Sequence, residues 1–224
     1  MSWAIAISYY RDGDLHAYLT SRIANSGTQP PEPLSKKLAI DMATALGFMH
    51  LGIADISQKP VLVKGHIPIL HRDLKPENVF VRIEDSVPKF VLADFGLANF
   101  LPEAVGVTGT PGYIAPECQK VSDELDEEVA ERVRVHTAKS DVYSFGAILW
   151  SAVTGLPFDN LETRYSLKRM GKHLKKIGVE ATGGTVGALV LGCLEKEPAE
   201  RLGTEQLVGF ARRFKGELGP GVVY

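Results

Sequence analysis

Apolar side chains at Leu34, Leu38, Met42, Leu46 and Met49 recur at three- and four-residue steps, the period of a helix that buries one face. A shorter stretch ahead of it, with Leu15, Tyr18, Leu19 and Ile23, has the same period, and Asp14 stands where a helix N-cap belongs. The run Gln29-Pro30-Pro31-Glu32-Pro33 separates the two. Before them, Trp3-Ala4-Ile5-Ala6-Ile7-Ser8-Tyr9-Tyr10 is β-prone and ends at the turn Arg11-Asp12-Gly13-Asp14, which predicts a strand running into a turn. Over residues 51–68 the periodicity fades, and Gly52, Pro60, Gly65 and Pro68 mark a loop or insertion. Asn78-Val79-Phe80-Val81 and Lys89-Phe90-Val91-Leu92, with Glu84-Asp85-Ser86 between them, predict a β-hairpin. Beyond Pro111 the pattern is helical: an apolar helix over 140–153 and a basic amphipathic segment over 168–176. These elements predict an α+β fold, mainly α-helical, with one short hairpin.

Composition narrows the function classes. The 224 residues are 45% hydrophobic, enough for the core of one domain. With 25 Lys and Arg against 27 Asp and Glu, the net charge of -2 supplies no global field toward nucleic acid or an anionic membrane, so neither is expected as a partner. The acidic run at 123–128 and the basic run at 168–176 read as solvated surface. Cys118 and Cys193 are too few for a disulfide framework or a four-cysteine zinc site and read as small apolar fillers in a reducing compartment. The longest uncharged run, 142–158, is interrupted by Ser144, Gly146, Ser151, Thr154, Gly155 and Pro157, and so reads as a buried helix rather than a membrane span. The first ten residues show no basic segment ahead of an apolar one, so no signal peptide is expected. A cytoplasmic or nuclear location is the expectation.

The chemistry is concentrated in one region. His71-Arg72-Asp73-Leu74-Lys75-Pro76-Glu77-Asn78 places an Asp, which can accept a hydroxyl proton, five positions before an Asn, which can bind a metal ion. Asp94-Phe95-Gly96 follows the second strand of the hairpin, where a carboxylate can hold Mg²⁺ between phosphate oxygens. Ala115-Pro116-Glu117 is a third landmark. Any of the short triplets alone is weak evidence, but the three stand in a fixed order and spacing. In these motifs the chain resembles the eukaryotic protein kinase family, over roughly residues 5–214.

That resemblance assigns roles. Asp73 receives the proton of a substrate hydroxyl, Lys75 neutralises charge on the phosphoryl group, and Thr110, in Gly109-Thr110-Pro111-Gly112-Tyr113, bonds toward both. Asn78 and Asp94 hold Mg²⁺, Phe80 floors the adenine pocket of ATP, and Asp14 belongs to the same nucleotide site. His71 packs under Phe95, with Gly96 completing that turn; Arg72 is the usual receiver of an activation-loop phosphate, and Asp141 holds the catalytic loop. Arg201 pairs with Glu117. Lys75 and the Gly109-Thr110 segment are the Ser/Thr rather than the Tyr pattern, so protein Ser and Thr hydroxyls are the implied substrates. The usual loop phosphosite falls at Gly106, which has no hydroxyl, and leaves Thr108 as the remaining candidate.

The resemblance also divides the chain. Residues 1–13 correspond to the last strand of the amino-terminal lobe and the hinge, 14–216 to a kinase carboxy-terminal lobe, and 217–224 to a tail. The family's Gly-rich loop, strand Lys and paired Glu would lie ahead of Met1. Val61-Leu62-Val63-Lys64 imitates the strand Lys but sits nine positions before Asp73, and Gly183-Gly184-Thr185-Val186-Gly187 imitates a phosphate loop but follows every catalytic motif. Weakened ATP binding by these residues alone is therefore expected, since a Lys-to-phosphate contact contributes about 1.5–3 kcal/mol. The competing expectation is a kinase-like module that docks proteins without phosphotransfer. A small-molecule phosphotransferase is disfavoured by the peptide-binding segment 109–117.

Overall fold

Asp14 turns the chain into its first helix: its Oδ1 accepts the Ala17 N–H at 2.8 Å at the start of α1 (Leu15–Ser26). The computed structural model describes residues 8–26, 29–56, 61–101, 104, 108–119, 136–158 and 166–219. Within these, the predicted turn at 11–14 is closed by the Gly13 N–H on the Tyr10 carbonyl at 3.2 Å. Ser8, Tyr9 and Tyr10 carry no strand pairing; the rest of the predicted first strand, the acidic run at 123–128 and position 106 lie outside the described residues.

The periodic helix forms as the pattern predicts. In α2 (Glu32–Leu51) the stripe Leu34, Leu38, Met42, Leu46 and Met49 is buried, at about 1.5–3 kcal/mol for each fully buried large apolar side chain. Pro31 precedes it and Gly52 ends it in the left-handed region at φ 69°, donating to the Gly47 and Phe48 carbonyls. A Cβ at position 52 would also meet the ring of His66 at 2.7 Å.

The segment 51–68, expected to be a loop, contains a small antiparallel hairpin, β1 (Ile53–Asp55) with β2 (Val61–Leu62), in which Ile53 faces Leu62. Its strands are two and three residues long, bulged and largely exposed, so no burial alternation reaches the sequence. The adjoining β3 (Ile69–Leu70) pairs with β6 (Asn99–Phe100). Between them, β4 (Val79–Glu84) and β5 (Val87–Leu92) form the predicted hairpin in register from Val79 opposite Leu92 to Glu84 opposite Val87. Its two turn residues, Asp85 at φ 49° and Ser86 at φ 66°, are both left-handed, the geometry that matches strand twist.

The uncharged run becomes α3 (Ala138–Thr154), opened by a Thr137–Ser140 capping box and buried on every side from Ser140 to Thr154. Around it lie α4 (Leu167–Lys176), α5 (Val186–Cys193) and α6 (Thr204–Glu217). One hydrophobic core joins α2, α3, α5, α6 and the inner faces of β4 and β5. Cys118 and Cys193 are buried in it as free thiols. Among the described residues no helix is long and apolar enough to cross a membrane.

Candidate active site

The loop that leaves β3 carries an unfavourable backbone. Arg72 sits at φ 67°, which costs a residue with a Cβ roughly 1–2 kcal/mol. Two hydrogen bonds offset that cost: Asp141, in the first turn of α3, accepts the His71 N–H on Oδ2 at 2.8 Å and the Arg72 N–H on Oδ1 at 2.9 Å. Burial pushes the Asp141 carboxyl up, but the hydrogen bond of His50 and the two backbone N–H groups outweigh it and hold the group below the usual range. The His71 ring bonds the Ala93 carbonyl through Nε2 at 2.9 Å and lies 5.1 Å from the Phe95 ring, centroid to centroid. Arg72 donates through Nε to the Leu97 carbonyl at 2.6 Å.

His50 was not among the residues singled out from sequence. Its Nε2 lies 3.0 Å from Asp141 Oδ2 and its Nδ1 lies 2.7 Å from Thr204 Oγ1. The available signal was a histidine one position after Met49 and four after Leu46, on the buried stripe of α2; nothing local pointed to Thr204, 154 residues away.

Asp73, Lys75 and Thr110 form one cluster. Thr110 Oγ1 donates to Asp73 Oδ1 at 2.7 Å, and Lys75 Nζ lies 2.9 Å from Thr110 Oγ1 and 3.0 Å from Asp73 Oδ2. Asn78 Nδ2 donates to the Asp73 carbonyl at 2.8 Å and to its Oδ2 at 3.1 Å. Burial raises the Asp73 carboxyl, yet the hydrogen bonds of Thr110, Lys75 and Asn78 and the Lys75 charge hold it below the ordinary aspartate value. It is therefore a carboxylate at neutral pH. Gly109 makes this approach sterically accessible: it stands at φ 115°, and a Cβ there would meet the Arg72 carbonyl oxygen at 2.7 Å. The following segment is tied to α3 by Ser144 Oγ, which donates to the Tyr113 carbonyl at 2.7 Å.

The hairpin brings Asp94 to the same end. The Ala93 N–H bonds the Asn78 carbonyl at 2.9 Å, one step beyond the Val79–Leu92 pair, so Asp94 emerges beside Asn78. Asp94 is exposed and left-handed at φ 59°, and its Oδ1 accepts the Gly96 N–H at 3.2 Å. Since the Asn78 amide nitrogen is committed to Asp73, its oxygen remains for a cation. One carboxylate and one amide oxygen are hard donors that suit Mg²⁺, which takes one or two protein ligands and completes its shell with water and phosphate. Among the described residues no group of three or more His, Cys, Asp or Glu side chains could hold a metal ion unaided.

The remaining sequence-picked residues flank this centre. Phe80, on β4, stacks at 5.1 Å on Tyr10, and the Val81 N–H bonds the Gly13 carbonyl at 2.9 Å, so segment 10–14 lies along the hairpin. Asp14 bridges to Phe80 through the backbone and spends one carboxylate oxygen on the α1 cap. Glu117 takes both ends of the Arg201 guanidinium, at 2.6 Å and 2.8 Å. That guanidinium is fully buried, bonds the Lys139, Glu195 and Lys196 carbonyls, and lies 4.9 Å from the centre of the Tyr143 ring.

The chain is similar to known protein kinases. A family profile described as protein kinase domain matches residues 2–210. The chain is 30% identical over 217 residues to the G2-specific protein kinase nim-1 of Neurospora crassa, covering 90% of this chain and 23% of that protein. It is 30% identical over 204 residues to the serine/threonine-protein kinase CTR1 of Arabidopsis thaliana, covering 88% of this chain and 21% of the relative. A putative mitogen-activated protein kinase kinase kinase 7-like protein of Drosophila melanogaster is 26% identical over 215 residues, covering 92% of this chain and 47% of the relative. The chain thus spans between about a fifth and a half of the length of these proteins.

Proposed function

Because the chain belongs to the protein kinase family, a family that generally uses ATP and Mg²⁺, we propose that its residues transfer the γ-phosphate of ATP to protein Ser and Thr hydroxyls. The observation that carries this reading is the three-way contact of Asp73, Lys75 and Thr110 within 3.0 Å. Asp73 is a carboxylate whose Oδ1 is held by a hydroxyl, that of Thr110, and a substrate hydroxyl has the same donor chemistry. Asp73 orients the acceptor and takes its proton as the acceptor O–P bond forms and the bond between the γ-phosphorus and the bridging oxygen breaks, with ADP as the leaving group. Lys75 stands with its charge on this cluster and offsets negative charge on the phosphoryl oxygens. Thr110 fixes both side chains and sets the acceptor segment against the loop.

Asn78 and Asp94 are the residues that would hold Mg²⁺, and bound there the ion supplies positive charge to the phosphate oxygens of the nucleotide. Phe80 and Asp14, joined by a backbone bridge, would line the nucleotide site that the family resemblance implies. His71, Phe95 and Gly96 keep Asp94 in its left-handed turn, while Arg72, Asp141, Glu117 and Arg201 hold the backbone that carries the cluster. Preference for Ser and Thr over Tyr rests on Lys75 and Thr110, and agrees with the name of the CTR1 relative.

The test is phosphoamino-acid analysis after incubating the full chain with Mg·ATP and a mixture of Ser, Thr and Tyr peptides. Phosphoserine and phosphothreonine are expected, with the Thr110→Ala rate at least about tenfold lower, the loss of one charge-assisted hydrogen bond. Predominant phosphotyrosine, or an unchanged rate in Thr110→Ala, would contradict the assignment.

A further inference from the structure

His50 and Thr204 do not touch the reacting groups, yet they complete a buried chain of hydrogen bonds that ends at the catalytic loop. Thr204, at the first turn of α6, is 5% exposed; His50, in the last turn of α2, is 4% exposed; Asp141, in the first turn of α3, is 2% exposed. Three helices distant in sequence therefore meet behind one strained turn. Asp141 is an acceptor only, so at their 3.0 Å contact His50 Nε2 must carry the proton. In a neutral ring this leaves Nδ1 as an acceptor, and its hydrogen-bond partner among the described residues is the Thr204 hydroxyl at 2.7 Å, which donates. The hydroxyl of Thr204 thus selects the imidazole tautomer, the His50 N–H orients the Asp141 carboxylate, and the carboxylate holds the two N–H groups of His71 and Arg72.

We infer that His50 and Thr204 are positioning residues for phosphotransfer: Thr204 fixes the His50 tautomer so that Asp141 clamps the left-handed turn at Arg72 and sets Asp73 against the acceptor hydroxyl. This rests on the reading of Asp73 given above. The energetic logic is that the turn at Arg72 is strained and held by one carboxylate, and a carboxylate free to rotate about its terminal torsion would lose one of its two backbone partners. The ring nitrogen is what stops that rotation.

Two measurements test it in the full chain, and the first is independent of activity. Native-state hydrogen exchange of the His71 and Arg72 amides, referenced to Leu149 in the middle of α3, should rise about tenfold in Thr204→Val, return to wild type in Thr204→Ser, and rise again in His50→Phe. In His50→Gln, whose amide nitrogen reaches the Nε2 position, the two amides should stay closer to wild type than in His50→Phe. Peptide phosphorylation by Thr204→Val should show a kcat about tenfold lower with peptide KM unchanged, again rescued by Thr204→Ser. Equal protection of both amides in wild type, Thr204→Val and His50→Phe would overturn the inference. So would exchange at Leu149 rising in step with them, which would mark a general loss of stability. If Asp73→Asn transferred phosphate as fast as wild type, the reading of Asp73 would fail while the exchange pattern still decided whether the clamp exists.

Discussion

At the scale of single residues, the site depends on two carboxylates kept ionised inside protein. Asp141 has a folded pKa held below its unfolded value of about 3.9, so the stability it contributes is complete above that pH and is lost as pH falls through the folded value. Asp141→Ala removes three hydrogen bonds to a charged group, and chemical denaturation at pH 7 should register a loss of at least about 3 kcal/mol, shrinking as the pH is taken below 4. An unaltered unfolding midpoint in Asp141→Ala would show that the turn at Arg72 holds without it. The sign is the same for Asp73: an acid limb in the phosphorylation rate caused by this group should appear only below the ordinary aspartate range. The thiols make an independent check. Burial, and then the charge of Glu117, pushes the Cys118 thiol up to about 11, and burial raises Cys193 as well. Neither should be alkylated by iodoacetamide in the native protein at pH 7, and rapid labelling of either would contradict the packing.

At the scale of elements, the central helix α3 governs the arrangement, because its first turn supplies Asp141, its second supplies Ser144 for the Tyr113 carbonyl, and its flank packs on α5. Gly146 is where that packing is tightest: a Cβ would lie 2.6 Å from the Cβ of Cys193 and 3.1 Å from Leu194. Gly146→Ala should therefore destabilise the protein by about 1–3 kcal/mol in urea unfolding, despite the better helix propensity of alanine; a gain in stability would mean that α3 and α5 are more loosely apposed. The elements whose burial has a clean period, α1, α2 and the β4–β5 hairpin, were legible in the sequence, as was the fully buried α3 from its uncharged apolar run, and the turn pair Asp85–Ser86 fell where Glu84-Asp85-Ser86 marked it. The β1–β2 hairpin was not, since Val61 and Leu62 are both exposed and no side of the strand is buried.

At the scale of the molecule, what was legible in the site follows the same division. Asp73, Lys75 and Asn78 sit within six residues of one another, and Asp94 and Thr110 belong to short motifs, so their meeting was implied by the family resemblance that those motifs carry. His50 and Thr204 come together only through the packing of α2 against α6, and no short motif carries them. Glu117 and Arg201 tie the segment 109–117 to the far end of the fold by the same kind of long-range contact. Glu117→Ala leaves the Arg201 guanidinium buried without its counter-charge, and should cost about 3–5 kcal/mol in denaturant unfolding; a loss under 1 kcal/mol would show that the carbonyls around Arg201 suffice. The central claim, that this cluster moves phosphate, is tested most directly by the initial rate of phosphate transfer from Mg·ATP to a Ser/Thr peptide in wild type and Asp73→Asn. Wild-type transfer with a drop of about 10²–10⁴-fold in Asp73→Asn is the predicted result, and equal rates in the two proteins would contradict it.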